Sequence, residues 1–307
     1  MTAILHRLAQ GLLTAWAAVT LTFFGLRLGA GDPLAGVLAQ GLASPAQAEA
    51  FRQSLGLDQP LLWQYADFLR GLVRGDLGRS LFTARPVLAV IGEELPATLA
   101  LASTGLIIAI AFGLALGVVA AWRRRGWTAG WARASAGLAT ALPVSFTGIL
   151  AILALTGLLQ LLPQADVDWL RRLLIPAAVL GLASGGAIAR VIDAGLSESR
   201  LTPYILAARA RGIPSGVRML WHALRPALPP AVSLTALEAA YLFSGTVVTE
   251  TVFSRPGLGR LLVGAILQGD YPVAQGLVAL AAIFYTASHA LADVLSLMAD
   301  PRLRRAG

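Results

Sequence analysis

The chain has 307 residues, 57% hydrophobic and 13% charged, with a mean hydropathy of +0.72; soluble domains carry about 25% charged residues, so this is the composition of an integral membrane protein. Its net charge of +8 is built on arginine alone, because the chain contains no lysine, and the arginines cluster beside apolar runs rather than forming a nucleic-acid footprint. Absence of lysine excludes a P-loop, whose lysine reaches the phosphates, and absence of cysteine excludes a disulfide framework, a thiolate nucleophile or a cysteine metal site.

His6 and Arg7 precede nineteen uncharged residues, 8–26, the length of one helix across a hydrocarbon core about 30 Å thick. A secretory signal would have an apolar region of about 7–15 residues and a small-residue cleavage site, so this first span is expected to stay in the protein. Residues 31–95 form the one extended polar region, opening on Gly31, Asp32 and Pro33. A helix is expected over 45–57, ending before Pro60. An amphipathic helix over 61–72 follows, with Leu61, Tyr65, Phe68, Leu69 and Leu72 at helical spacing. The run RGDLGRSLFTARPV, containing Asp76 and Arg79, completes an expected small external subdomain with interfacial aromatics.

Further runs free of acidic and arginine residues are 96–122, 134–165, 173–189, 226–249 (interrupted only by Glu238) and 271–292, giving six expected spans in all. The second of these is longer than one helix needs, so its ends tilt or enter the interface, and Pro143 inside it is expected to kink it. Gly181, Gly185 and Gly186 suit close backbone approach between helices, where apolar burial gives no drive.

Between the fourth and fifth spans lies a basic segment, 190–229, reading RVIDAGLSESRLTPYILAARARGIPSGVRMLWHALRPALP. Its pattern predicts a helix over 204–211, a break at 212–215 and a second helix over 217–228. Such a knob is a natural docking surface, though an ordinary loop whose arginines set orientation fits the same composition. Glu238 lies within the fifth span beside Ala236, Ala239 and Ala240, so it either lines a path or makes a helix–helix hydrogen bond. Glu250, His289 and Asp293 sit near span ends, as interfacial or paired groups. In 250–272, Pro256, Gly257 and Gly259 make a turn and 261–267 a short apolar helix, either a re-entrant element or a plain external loop.

Orientation follows from the arginines. Arg7, the group Arg123, Arg124, Arg125 and Arg133, six in 190–229, and Arg302, Arg304 and Arg305 share one side, making fourteen of 24. Both termini and the basic segment are therefore expected to be cytoplasmic. Enzyme chemistry finds little footing: Ser145 and Ser184 lie in spans without a histidine and carboxylate placed to activate them, and His6, His222 and His289 are too scattered for a metal cage. A stand-alone proton-coupled transporter remains open on the charges alone, although no internal repeat of the kind such transporters carry is visible.

The run AARARGIPSGVRMLWHALRPALPP resembles the "EAA" loop of the permeases of ABC importers, in the dipeptide, oligopeptide and nickel uptake family. Other matches are a GDP after the first span, GLDQP, GDLGRS followed by RPV, ETVFSRPGLGRL with a later DYP, and a terminal DPR, all in the family's order. The resemblance implies an all-α membrane protein of six transmembrane helices, of the type I importer permease kind. It divides into the first helix (1–30), an external helical subdomain (31–95) and a permease core (96–307). It implies a coupling loop seated on a separate ATPase, carried by Leu206, Ala207, Ala208, Arg209, Arg211, Gly212, Ile213, Pro214, Ala223 and Leu224; Leu206 stands where many such permeases have glutamate. Pathway or gating candidates are Glu238, Glu250, Pro256, Gly257 and Gly259, and external-loop candidates are Asp32, Pro33, Asp76 and Arg79. Implied partners are a second, similar permease, two cytoplasmic ATPase subunits and an external substrate-binding protein, within the lipid bilayer of the inner membrane. No cofactor is expected on this chain, ATP and Mg being held by the ATPases. The solute is a short peptide, or nickel or a metal chelate.

Overall fold

The computed structural model describes residues 2–29, 38, 49, 52–53, 56–122, 126–155 and 169–299. Asp32, Pro33, most of the expected 45–57 helix, Arg123 to Arg125, the end of the expected third span, and Arg302, Arg304 and Arg305 lie outside the described residues.

The described residues are almost wholly helical: α1 Thr2–Gly29, α2 Leu61–Arg74, α3 Val87–Trp122, α4 Trp127–Ala141, α5 Val144–Leu153, α6 Trp169–Ser199, α7 Pro203–Ala210, the one-turn α8 Ser215–Val217, a π-turn Arg218–Ala223, α9 Leu224–Val252, α10 Leu258–Gln268 and α11 Tyr271–Ala299. Four helices hold unbroken apolar stretches long enough to cross a bilayer: Ala9–Gly29, Val87–Trp122, Arg172–Ser199 and Tyr271–Ala292. Two bent pairs, α4 with α5 and Ser215–Phe243 with Thr246–Val252, bring the total to six when each is one span.

Three boundaries differ from the sequence expectation. Helix α3 starts at Val87, not at 96, and carries Pro96 inside it. At 36 residues it is roughly 54 Å long by the 1.5 Å rise per residue, so its first turns, with Glu93 and Glu94, extend beyond a hydrocarbon core. Helix α6 runs on to Ser199 and takes in the first ten residues of the expected basic loop. The third span is broken outright: Leu142 is extended (ψ 129°), Pro143 follows at φ −58°, and α4 and α5 meet at 105°. Proline disfavours the helical region for the residue before it, so the expected kink is a corner.

Packing divides the chain into two units, each drawn from two separate stretches of sequence. One unit joins Met1–Thr98 to Pro256–Thr286. Within it, α2 ends at Gly75 in the left-handed conformation, with Asp76 N bonded to Gly71 O at 2.9 Å and Gly75 N to Leu72 O at 3.1 Å. The aromatics of α2 lie against α1: Tyr65 and Phe68 flank Phe23 at 5.2 and 5.5 Å, and the Tyr65 and Thr20 hydroxyls are 2.6 Å apart. Arg27 stacks over the Phe23 ring at 3.6 Å and donates to Gln64 Oε1 at 3.1 Å. Asp270, buried just before α11, accepts from Ser80 Oγ at 2.6 Å and Leu81 N at 3.1 Å. That carboxylate ties the 80–84 turn to the α10–α11 junction across 190 residues of chain.

The second unit joins Leu99–Arg255 to Ala287–Gly307. Its centre is the contact of α3 with α6. A Cβ at Gly113 would lie 2.8 Å from Gly185 O, one at Gly117 2.8 Å from Ala189 O, and one at Gly181 2.4 Å from Gly105 O. Gly186 meets Ala136 O of α4 at 2.5 Å by the same measure, and Gly195 meets Ala227 of α9 at 2.8 Å. The close approach expected of Gly181, Gly185 and Gly186 is present, and α3 contributes matching glycines. Arg133 fixes the ends of these helices with a fork onto Asp193 (Nε to Oδ2 2.7 Å, Nη2 to Oδ1 3.2 Å) and a bond to Ala120 O at 3.0 Å.

Two outcomes check this packing. Gly181→Val should cost about 1–3 kcal/mol, as overpacking does, lowering the thermal midpoint in detergent read by tryptophan fluorescence. Gly130→Ala, where a Cβ meets open space, should leave the midpoint unchanged. Asp270→Ala strands a buried hydroxyl and amide at a cost of about 1–3 kcal/mol, and should speed tryptic cleavage after Arg79, at the start of the turn that Asp270 holds.

Candidate coupling loop and pathway residues

Residues 200–223 form a helix, a break and a second helix, with narrower bounds than the expected 190–229. Pro203 sits at the first position of α7, where its missing N–H costs nothing. The helix ends in a paired C-terminal turn: Gly212 N bonds Arg209 O at 3.0 Å and Ile213 N bonds Ala208 O at 3.2 Å. Gly212 holds φ +77° with open space around it, so the position demands glycine for backbone conformation rather than for room. Pro214 leads into α8, and the Arg218 guanidinium donates back to the Ile213 carbonyl.

The expected coupling residues sort by face. Ala208 and Ala223 are buried, and Ile213 and Leu224 are half-buried; Leu206, Ala207, Arg209, Arg211, Gly212 and Pro214 are exposed. The inward side is continuous with the span bodies: Ile205, Met219, Ala223, Ala227 and Ala231 form one apolar cluster with Ile188, Ile192 and Leu196 of α6 and Ala109 and Ala121 of α3. Arg200 adds a polar tie to Trp122 O at 3.0 Å. The outward side is mixed, with Tyr204, Leu206 (53% exposed) and Trp221 (75%) beside the two arginines. Sequence reading missed the fork of Arg133 on Asp193, since the partners stand sixty residues apart.

Glu250, expected as a gating candidate, is fully buried near the end of α9. Arg255 follows it: its amide bonds Glu250 O at 2.8 Å, and its guanidinium donates to the Arg172 carbonyl. Burial lowers the Arg255 pKa from its ordinary value and the nearby Glu250 charge partly restores it.

Pro256 and Gly257 lie on a cavity of about 400 Å³ with Ser80, Thr83, Glu94, Arg260 and Asp270. Gly257, at φ 156° and ψ 169°, occupies a region open in practice to glycine alone, and Leu258 N caps onto Thr98 Oγ1 at 2.8 Å. Gly259 is buried in the first turn of α10. Asp76 and Arg79 do not line this cavity. Asp76 accepts the Gly78 amide at 2.9 Å and Arg79 donates to Ala84 O at 3.1 Å, so both shape the turn. Glu238 lines a separate cavity of about 300 Å³ formed by Thr140 to Val144, Ala183, Ser184, Ala187 and Tyr241. Among the described residues no three His, Asp or Glu side chains converge as metal ligands.

Comparison with known proteins covers both parts of the chain. Residues 113–305 match the family described as binding-protein-dependent transport system inner membrane component, and residues 1–102 match the N-terminal part of such membrane components. A protein of Brucella abortus (strain 2308), provisionally named a peptide transport system permease, is 37% identical over 309 residues, covering 98% of each chain. One from Escherichia coli (strain K12), provisionally named a D,D-dipeptide transport system permease, is 35% identical over 335 residues, covering 99% of this chain and 98% of its own. The glutathione transport system permease of Escherichia coli O6:H1 (strain CFT073) is 33% identical over 302 residues, covering 98% of each. With four apolar spans among the described residues, six when each bent pair is one span, a family match over residues 113–305, and these three relatives named as transport permeases, the chain belongs to the family of inner membrane components of binding-protein-dependent transport systems.

Proposed function

We propose that the chain is one permease subunit of an ATP-driven importer of short peptides, working with a second permease, two cytoplasmic ATPase subunits and an external binding protein. The observation that carries this is the coupling knob: an exposed helix–Gly212–helix whose inner face is continuous with the cores of α3, α6 and α9. The names of the relatives favour a peptide over nickel as the solute. ATP and Mg belong to the ATPases, and this chain supplies the path.

In this reading the ATPases grip the exposed face of Leu206, Ala207, Arg209 and Arg211. Their closure displaces α7, and the buried cluster passes the displacement to the span helices. The permease alternates between two states, and the partners must bind one of them better to drive the change. Termini and knob face the cytoplasm, as the arginine bias requires. Solute arrives on the side of 31–95 and 250–272.

The test is uptake by the reconstituted complex. Gly212→Val forces a β-branched residue into left-handed backbone at a cost of about 1–2 kcal/mol and should uncouple uptake from ATP hydrolysis while membrane insertion persists. Gly212→Asn, better tolerated at positive φ, should retain most uptake. Leu206→Asp should weaken co-purification of the ATPase subunits. Full, ATP-coupled uptake by Gly212→Val would remove the coupling role.

A further inference from the structure

The Glu238 cavity has the makings of a ligand site at membrane depth. It opens at the 105° corner between α4 and α5, walled by Thr140 to Val144, by Ala183, Ser184 and Ala187 of α6, and by Glu238 and Tyr241 of α9. No basic side chain among the described residues pairs with Glu238. Ser184 is 2% exposed, and its hydroxyl, neighbouring that carboxyl, completes no hydrogen bond of ordinary geometry. Buried hydroxyls ordinarily have partners, and carboxylates within spans ordinarily face a pathway or a counter-charge. The two groups neighbour each other, so the hydroxyl is at best weakly satisfied by the carboxyl, and Glu238 is left on the cavity without a counter-charge among the described residues, which points to a visiting ligand.

The chemistry of the lining names its class. The C-terminal end of α4 and the N-terminal end of α5 meet at the corner, so their dipoles offset, and Glu238 sets the sign: the ligand is a cation. A primary ammonium carries three donors. The cavity offers three kinds of acceptor: the Glu238 carboxylate, Ser184 Oγ, and Thr140 Oγ1, whose own proton is directed to Ala136 O or Gly137 O at 3.2 and 3.0 Å. The Tyr241 ring and the alanines wall the rest. A hard divalent ion wants six or more oxygen ligands, and one carboxylate with two hydroxyls falls short of that.

We propose that this cavity is a transient site for the protonated amino terminus of the transported peptide, with Glu238 as its counter-ion and Ser184 and Thr140 as acceptors. The proposal rests on the peptide-importer reading. During passage, the ammonium would exchange water for these groups at the corner, while the peptide's far end stays free to vary.

The complete importer in proteoliposomes tests this, with peptide taken up per ATP hydrolysed as the readout. The probes are a tripeptide and its N-acetylated form, each at saturating binding protein. Wild type should favour the free amine, and Glu238→Gln should lower uptake of the free-amine peptide about tenfold, the worth of one charge-assisted hydrogen bond, while sparing the acetylated one. Glu238→Asp should recover part of the preference, and Ser184→Ala should reduce it by less than Glu238→Gln. Co-purification of all subunits shows that each variant assembles. Equal loss for both peptides, or no loss for either, overturns the amine site and leaves the peptide-importer reading standing. A wild-type importer that moves neither peptide overturns that reading, and the site with it.

Discussion

The structure depends on the bare-backbone contact of α3 with α6. Within a bilayer, burying leucine against leucine gains little over burying it against lipid, so helices associate where small residues let their backbones touch. Gly105, Gly113 and Gly117 on α3 and Gly181, Gly185 and Ala189 on α6 supply that seam, and Gly186 and Gly195 extend it to α4 and α9. A seam with no room for a Cβ has no room for sliding either. Close-packed interiors transmit strain rather than absorb it, so a displacement at one end of the seam is felt at the other.

The polar ties complement the seam by working at its ends. Arg200 takes the Trp122 carbonyl, left free at the C-terminal end of α3, Arg255 takes the Arg172 carbonyl, left free because Pro176 four residues on has no N–H, and Arg133 forks onto the Asp193 carboxylate. Guanidinium is suited to this because its planar fork makes several directed bonds from one charge. In the other unit, the Asp270 carboxylate serves the same purpose with the sign reversed.

The sequence disclosed the spans better than their ends. Apolar runs report what lies in hydrocarbon, and the six runs mark the four long helices and two bent pairs. They do not report helix beyond the bilayer: Glu93 and Glu94 interrupt the apolar pattern but not α3, and 190–199 is polar yet continues α6. The helix–glycine–helix of the knob was legible because its determinants are local, as the positive φ of Gly212 shows. The cavities were not legible, since each draws on segments far apart in sequence. Glu238 stood out as a charge in a span, yet nothing local marked Ser184 as its neighbour. Asp76 and Arg79 lie in a conspicuous motif and prove to be turn-formers, because the cavity beside that turn is lined by Ser80 and Thr83 instead.

The corner at Pro143 also constrains how the molecule is oriented among its neighbours. A helix broken at 105° ends one helix and starts another, and helix ends carry amide and carbonyl groups without intrahelical partners, which hydrocarbon tails cannot solvate. That flank must therefore turn toward water or polypeptide rather than toward lipid. A single proline thus helps decide which sides of the protein are wet or covered by protein and which are greasy.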